Sequence, residues 1–385
     1  MGLFDGVLAR GSVPGDLSDD AWLQAMLDTE AALARASAEA GVIPAAAAKA
    51  IAAACASVYI DVSELSAAAA ESGNPVVPLV QRLRAEVPAK HARFVHFGAT
   101  SQDILDTASM LILKRALSTV LDDLAGAADA AADLARRHRD TVMAGRTLLQ
   151  QALPTTFGLK AAGWMHALDT ARDRLAQVRR ERLAVEFGGA AGTLAGLDGK
   201  GVEIVERLAA ALGLCAPVLP WHTDRTRLAE VAAALGEAAG AVAKAARDVT
   251  LLAQGEVAEV SEGAPGGSSA MAHKQNPVAA ISALAGAAQA PGLVATLLGA
   301  MVHEHERAAG SWHAEWRPLR ELLIATGSAA SWLRTCLSEL AVHPEAMRAN
   351  LDRLLNVLGT EEPDTGMAAA LVDQALRTRQ TGGPT

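Results

Sequence analysis

LAEVAAALGEAAGAVAKAARDVTLL, residues 228 to 252, is the stretch that decides the fold class. Leu228, Val231, Leu235, Ala238, Val242, Ala245, Val249 and Leu252 follow one another in alternating steps of three and four. That spacing is a heptad seam, and it puts all of these apolar side chains on one stripe of an α-helix. At 1.5 Å per residue the helix is roughly 40 Å long, beyond a typical globular helix and suited to a bundle that continues across subunits.

Outward from this seam the same kind of amphipathic run covers residues 105–137, 155–186, 278–301 and 318–340. Ser18, Asp19 and Asp20 can cap a further helix that presents Trp22, Met26 and Leu33 and ends near the Gly41 and Pro44 turn. A short helix is expected around 367–378. Alanine is abundant throughout while aromatics make up only 3% of the chain, a composition that packs helices closely through small side chains. The expectation is an all-α protein with few strands, built as an N-terminal helical unit (1–105), a central long-helix bundle (106–340) and a short C-terminal helical unit (341–385).

Several function classes are excluded or disfavoured. A formal charge of −9 with no extended Lys/Arg run argues against nucleic-acid binding, although a negative protein can still concentrate cations in one cleft for a small anion. Cys55, Cys215 and Cys336 are far apart and in no CxxC spacing, which speaks against a disulfide framework or a zinc ribbon and fits a reduced cytoplasm. The N-terminus MGLFDGVLAR does not read as a signal peptide, and no stretch reads as a clean membrane span. His303, His305 and His313 do not form HExxH, so no metal site is expected.

Polar, glycine-containing segments interrupt the helices at His96–Asp103, Gly145–Thr156 and Glu262–Pro277, and chemistry is expected there. Gly188–Gly196 supplies tight turns with close backbone approach. In the last polar segment, EGAPGGSSAMAHKQNP, glycines precede the hydroxyls of Ser268 and Ser269, then the cation Lys274 and the amide Asn276. It reads either as a solvated linker or as a closing lid. Thr100 and Ser101 stand at the start of a helix, where two hydroxyls and exposed backbone N–H groups make an anion cradle.

These segments together resemble the fumarase/aspartase superfamily. Its GSSxMPxKxN signature is matched by Gly267, Ser268, Ser269, Met271, Lys274 and Asn276, with Ala272 where the family usually has proline. The resemblance implies a catalytic serine at Ser268 and carboxylate ligands at Thr100, Ser101, Lys274 and Asn276. His96 falls where the adenylosuccinate lyase branch has a histidine, and a structural role is equally open. In AGRTLLQQALPTTFG, Arg146, Thr147, Gln150, Pro154 and Thr155 match the family, but Leu148 replaces the histidine of fumarases and argininosuccinate lyases. That histidine helps a poor leaving group depart. A leaving group stable as an anion, such as a carboxylate with a pKa near 4, needs no such help.

The cycloisomerase branch meets this condition, and PWHTDRTRLAE (220–230) and HEHERAAGSWHAEW (303–316) resemble its sequence. The resemblance therefore implies addition and elimination beside a carboxylate, interconverting 3-carboxy-cis,cis-muconate and a lactone without any cofactor. It also implies a homotetramer whose three motifs come from three subunits. Arg146, Arg225, His222 and His273 are the further candidates for a third substrate carboxylate. A nitrosuccinate-type lyase shares the stable leaving group and stays open, an adenylosuccinate-type lyase would be expected to keep the histidine, and a non-catalytic scaffold homologue is the alternative of a different class.

Overall fold

The seam from Leu228 to Leu252 lies buried along one helix, Thr226–Leu252, and its burial partners are helices of the same chain. The stripe forms the centre of the chain's own bundle. The computed structural model describes residues 2–267, 270–271 and 273–381.

In chain order, two short helices, α1 (Asp5–Leu8) and α2 (Val13–Asp16), precede α3 (Asp19–Glu39), α4 (Ala45–Ser57), α5 (Val62–Ser72), α6 (Val76–Glu86) and α7 (Ala89–Ala92). The Ser18 hydroxyl accepts the Ala21 N–H at 3.2 Å, the cap expected from sequence. Next come α8 (Ser101–Arg137), a hairpin of β1 (Val142–Thr147) and β2 (Gln150–Thr156), then α9 (Phe157–Glu181), α10 (Gly201–Leu212) and α11 (Thr226–Leu252). Strand β3 (Val260–Ser261) pairs antiparallel with β4 (Ala341–Val342); between them run α12 (Val278–Ala287), α13 (Ala290–Gly299) and α14 (Ser311–Ser338). The chain closes with α15 (Pro344–Leu358) and α16 (Ala368–Thr381).

The protein is mostly helical; one large hydrophobic core runs through it, and a small second cluster gathers Ala144, Leu351, Leu354 and Leu355. The hairpin departs from the all-helical expectation: Gly145–Thr156, expected as a polar loop, pairs Val142 with Thr156 and Thr147 with Gln150. A bulge falls between Ala144 and Arg146, where a Cβ on Gly145 would meet the Leu153 carbonyl at 2.8 Å. The run expected over 278–301 is two helices, because Pro291 begins a second one rather than continuing the first. By length and composition Val278–Gly299 is apolar enough to cross a membrane. Here it packs against α11 and α14 and leaves Ile281 and Leu298 nearly half exposed.

The direction of the long helices positions the site. Arg225 at the head of α11 bonds Asp106 near the start of α8 and Glu315 near the start of α14, so these three helices begin at one end. Strands β3 and β4 join the other ends of α11 and α14, and Arg146 of β1 bonds Glu259 there. With 37 residues α8 spans roughly 55 Å, and α11 with 27 residues spans about 40 Å, so the two ends are that far apart.

Candidate active site

At the near end, Thr100 is the N-cap of α8 and Ser101 its first residue. The Thr100 N–H donates to Asp103 Oδ2 at 2.8 Å as one half of a capping box, which fixes the first turn at the place where the sequence suggests an anion cradle. Asp103 is buried and accepts three more bonds: Gly188 N–H (3.0 Å), Gly189 N–H (3.0 Å) and His222 Nε2 (2.6 Å). Gln102 beside it donates to the His222 carbonyl at 2.8 Å and accepts from Arg307 at 3.0 Å. Arg307 also donates to the Gly189 and Ala190 carbonyls, closing the wall of the cradle.

Beneath the cradle lies a buried ion network. All three guanidinium nitrogens of Arg225 donate to Asp106 or Glu315, at 2.6 to 3.2 Å, and Trp312 Nε1 donates to Asp106 at 3.0 Å. Burial pushes the Glu315 carboxyl up to about 7 even though Arg225 pulls it down. Glu186 is raised well above the carboxylate range by burial and by the charges of Asp103 and Asp106; its Oε2 accepts the Trp221 N–H at 2.6 Å. Asp103, Glu186 and His222 lie close enough together to suggest a metal cluster. The geometry does not fit one, because each Asp103 oxygen already accepts two N–H groups and the 2.6 Å contact with His222 is a hydrogen bond.

Arg225 and His222 were expected at a substrate carboxylate. Both are buried, and the Arg225 nitrogens and His222 Nε2 are bonded to carboxylates of the same chain. His96, with φ 63°, shares Nδ1 with the buried Glu30 at 2.6 Å; burial lowers its pKa, but the charge and bond of Glu30 outweigh this and raise it.

The remaining candidates sit at the far end. Arg146 forms a two-pronged pair with buried Glu259, at 2.7 and 2.9 Å. Thr147 and Gln150 flank a two-residue turn in which Leu148 (φ 50°) and Leu149 (φ 65°) are 96% and 71% exposed. Lys274 and His273 are exposed and Asn276 is half-buried. Gly266 and Asn276 exchange backbone hydrogen bonds of 2.9 and 2.8 Å, forming a closed neck to the loop 267–275. Glu262 holds the exit of this loop by accepting the Ala279 and Ala280 N–H groups at the head of α12. Ser268, Ser269 and Ala272 lie outside the described residues.

Sequence reading missed Asp103, Asp106 and Glu186. A usable signal was present: SQDILDTASMLIL carries two acids three residues apart and no other charge, on a helix with apolar residues on every side. Acids so placed must be buried, and a buried acid needs partners.

A mostly helical bundle in which three long helices start at one end fits the class that the comparisons show: the chain belongs to the fumarase/aspartase family of lyases. A family profile described as "Lyase" matches residues 13–292. Among named relatives, the 3-carboxy-cis,cis-muconate cycloisomerase of Bradyrhizobium diazoefficiens is 50% identical over 352 residues, covering 90% of this chain and 78% of that one. The nitrosuccinate lyase of Streptomyces davaonensis is 47% identical, covering 91% and 77%. The crystal structure of the 3-carboxy-cis,cis-muconate lactonizing enzyme from Pseudomonas putida superposes with a TM-score of 0.87 at 40% identity, covering 99% of this chain and 88% of that one.

Proposed function

We propose that this protein is a cycloisomerase that interconverts 3-carboxy-cis,cis-muconate and carboxymuconolactone in protocatechuate catabolism. The observation that carries the reading is Leu148, presented outward at the hairpin tip where related lyases have a histidine. A leucine cannot protonate a leaving group, so the group must be stable as an anion, and the carboxylate released by lactone opening is one.

In the lactone-forming direction one carboxylate oxygen of the substrate adds to the carbon β to a second carboxylate. The electron pair moves into that second carboxylate, giving a dianionic aci-carboxylate, and the Ser268 hydroxyl then delivers a proton to the α carbon. In reverse, the Ser268 alkoxide removes this proton and the lactone oxygen leaves as carboxylate. Thr100, Ser101, Lys274 and Asn276 supply the hydrogen bonds and charge that make the aci-carboxylate accessible. Closing the glycine-necked loop would desolvate the alkoxide and bring Lys274 to it.

Thr100 lies at the end where α11 starts and the Gly266–Asn276 bridge at the end where it stops, about 40 Å along the helix, so the proposed roles call for copies to combine. A homotetramer with shared sites is the assembly we propose, and the exposed apolar face of α12 and α13 at Ile281 and Leu298 supports it.

Nitrosuccinate elimination is the second reading, favoured by the 47% identity to a nitrosuccinate lyase and by nitrite being another stable leaving anion. The protein is incubated separately with 3-carboxy-cis,cis-muconate and nitrosuccinate while diene absorbance and nitrite are followed. Loss of the diene without nitrite release supports the cycloisomerase, and nitrite release with a stable diene replaces it with the second reading. Light scattering that finds a monomer at assay concentrations would remove the shared-site model.

A further inference from the structure

We propose that His222, which is buried away from the substrate, is the positioning residue of the carboxylate cradle, acting through Asp103 on Thr100 and on the Gly188–Gly189 turn. The inference rests on the proposed reading of Thr100 and Ser101 as carboxylate ligands. It assigns His222 a role different from contact with a third carboxylate.

The argument begins with a conflict. Asp103 stands at the third position of α8, so its negative charge lies within one turn of the place where a substrate carboxylate would bind. Two anions at one helix start repel each other, and the helix dipole has only one positive end to share between them. The structure resolves this by surrounding Asp103 with donors. Oδ2 takes the Thr100 and Gly189 amides, and Oδ1 takes the Gly188 amide and His222 Nε2. Because a carboxylate only accepts, Nε2 carries the proton, and its 2.6 Å contact is the shortest of the four.

His222 is tied to the cradle twice, since its carbonyl also accepts Gln102 Nε2 at 2.8 Å. Few movements are left to this unit. A Cβ on Gly189 would lie 2.8 Å from the Gly98 carbonyl, so the turn is pressed against the segment that leads into Thr100. The other titratable groups facing the ring are Asp103 and, 3.4 Å from Nε2, Glu186. With the His222 donor removed, Oδ1 keeps a single amide, the Asp103 charge bears more strongly on the cradle, and the carboxylate can rotate and take the Thr100 amide with it. The consequence is weaker anion binding rather than a missing chemical group.

The test compares His222→Leu with His222→Gln in the full-length enzyme. Two quantities are read: KM, and the inhibition constant of tricarballylate, a saturated tricarboxylate. His222→Leu should raise both about tenfold, the scale of a lost hydrogen bond to a buried charge, while His222→Gln, whose amide N–H can reach Asp103, restores both. A purely structural residue would lower the melting temperature and leave tricarballylate affinity unchanged in the folded fraction, and that result overturns the proposal. If His222→Leu does not fold, His222→Asn replaces it, since its shorter amide cannot reach Oδ1; equal tricarballylate affinity in the Asn and Gln variants then overturns the proposal. Thr100→Val and Ser101→Ala are measured alongside. If they leave both constants unchanged, the cradle reading itself is wrong; if they weaken binding and His222→Leu does not, only the positioning role falls.

Discussion

The two ends of the bundle are built on opposite principles. At the near end, Thr100 and Ser101 rest on Asp103, His222, Gln102 and Arg307, and below them Asp106, Arg225 and Glu315 form a closed, buried ion network. At the far end, Lys274 and His273 are exposed, Gly266 and Asn276 are bridged through their backbones, and the hairpin tip carries two exposed leucines with positive φ. The near end pairs its charged groups within one chain, whereas the far end leaves Lys274, His273, Leu148 and Leu149 exposed.

Removing the hydroxyl proposed as the proton donor should separate the two ends most sharply. Ser268→Ala is expected to lower kcat by roughly 10³-fold while the unfolding midpoint and the oligomeric state stay as in the parent, because a missing general acid–base group removes chemistry and not packing. Steady-state turnover beside thermal unfolding checks this. Activity near that of the parent would take Ser268 out of the mechanism.

How much of this division was legible in the sequence differs in the same way. The heptad seam from Leu228 to Leu252 and the Ser18 cap follow from local rules, and all the seam residues are buried in the structure. The hairpin was hidden because a two-residue turn of this kind ordinarily announces itself with Asn-Gly, and here Leu148-Leu149 fills it. The ion network was hidden for another reason: Asp106, Arg225 and Glu315 are far apart in sequence, and only the common starting end of three helices brings them together. Arg225, without a fold around it, looks like a ligand for a substrate anion; inside the fold it neutralises two carboxylates of its own chain.

The near end should therefore fail through stability. Arg225→Met leaves Asp106 and Glu315 buried without their cation, a loss expected to cost about 3–5 kcal/mol in unfolding free energy. Its pH dependence has a definite sign. Burial moves the Glu315 carboxyl from an ordinary 4.5 to about 7, so across that window the folded protein holds a proton that the unfolded chain has released. The contribution of Glu315 to stability accordingly falls as pH rises from 4.5 to 7, and without Arg225 it falls more steeply because the ionised form has lost its partner. Urea unfolding at about pH 5 and about pH 8 should find the smaller cost of Arg225→Met at the lower pH. Equal costs at both would place the destabilisation in lost packing instead of charge.

The smallest expected effect probes the hairpin tip, where stability and function should move in opposite directions. Leu148 and Leu149 sit at φ 50° and 65°, a region that strains any residue with a Cβ by about 1–2 kcal/mol, and their side chains gain no burial within the chain in return. Replacing the pair by Asn-Gly fits the turn and should raise the stability of the isolated subunit by about 1 kcal/mol. If the tip docks on another copy, the same change removes two apolar contacts there and should weaken assembly and lower turnover. Dilution-dependent light scattering together with activity separates the two effects. A variant that is more stable, fully assembled and fully active would mean that the strained leucines are not an interface, and the far end would lose its claim to reach a second chain.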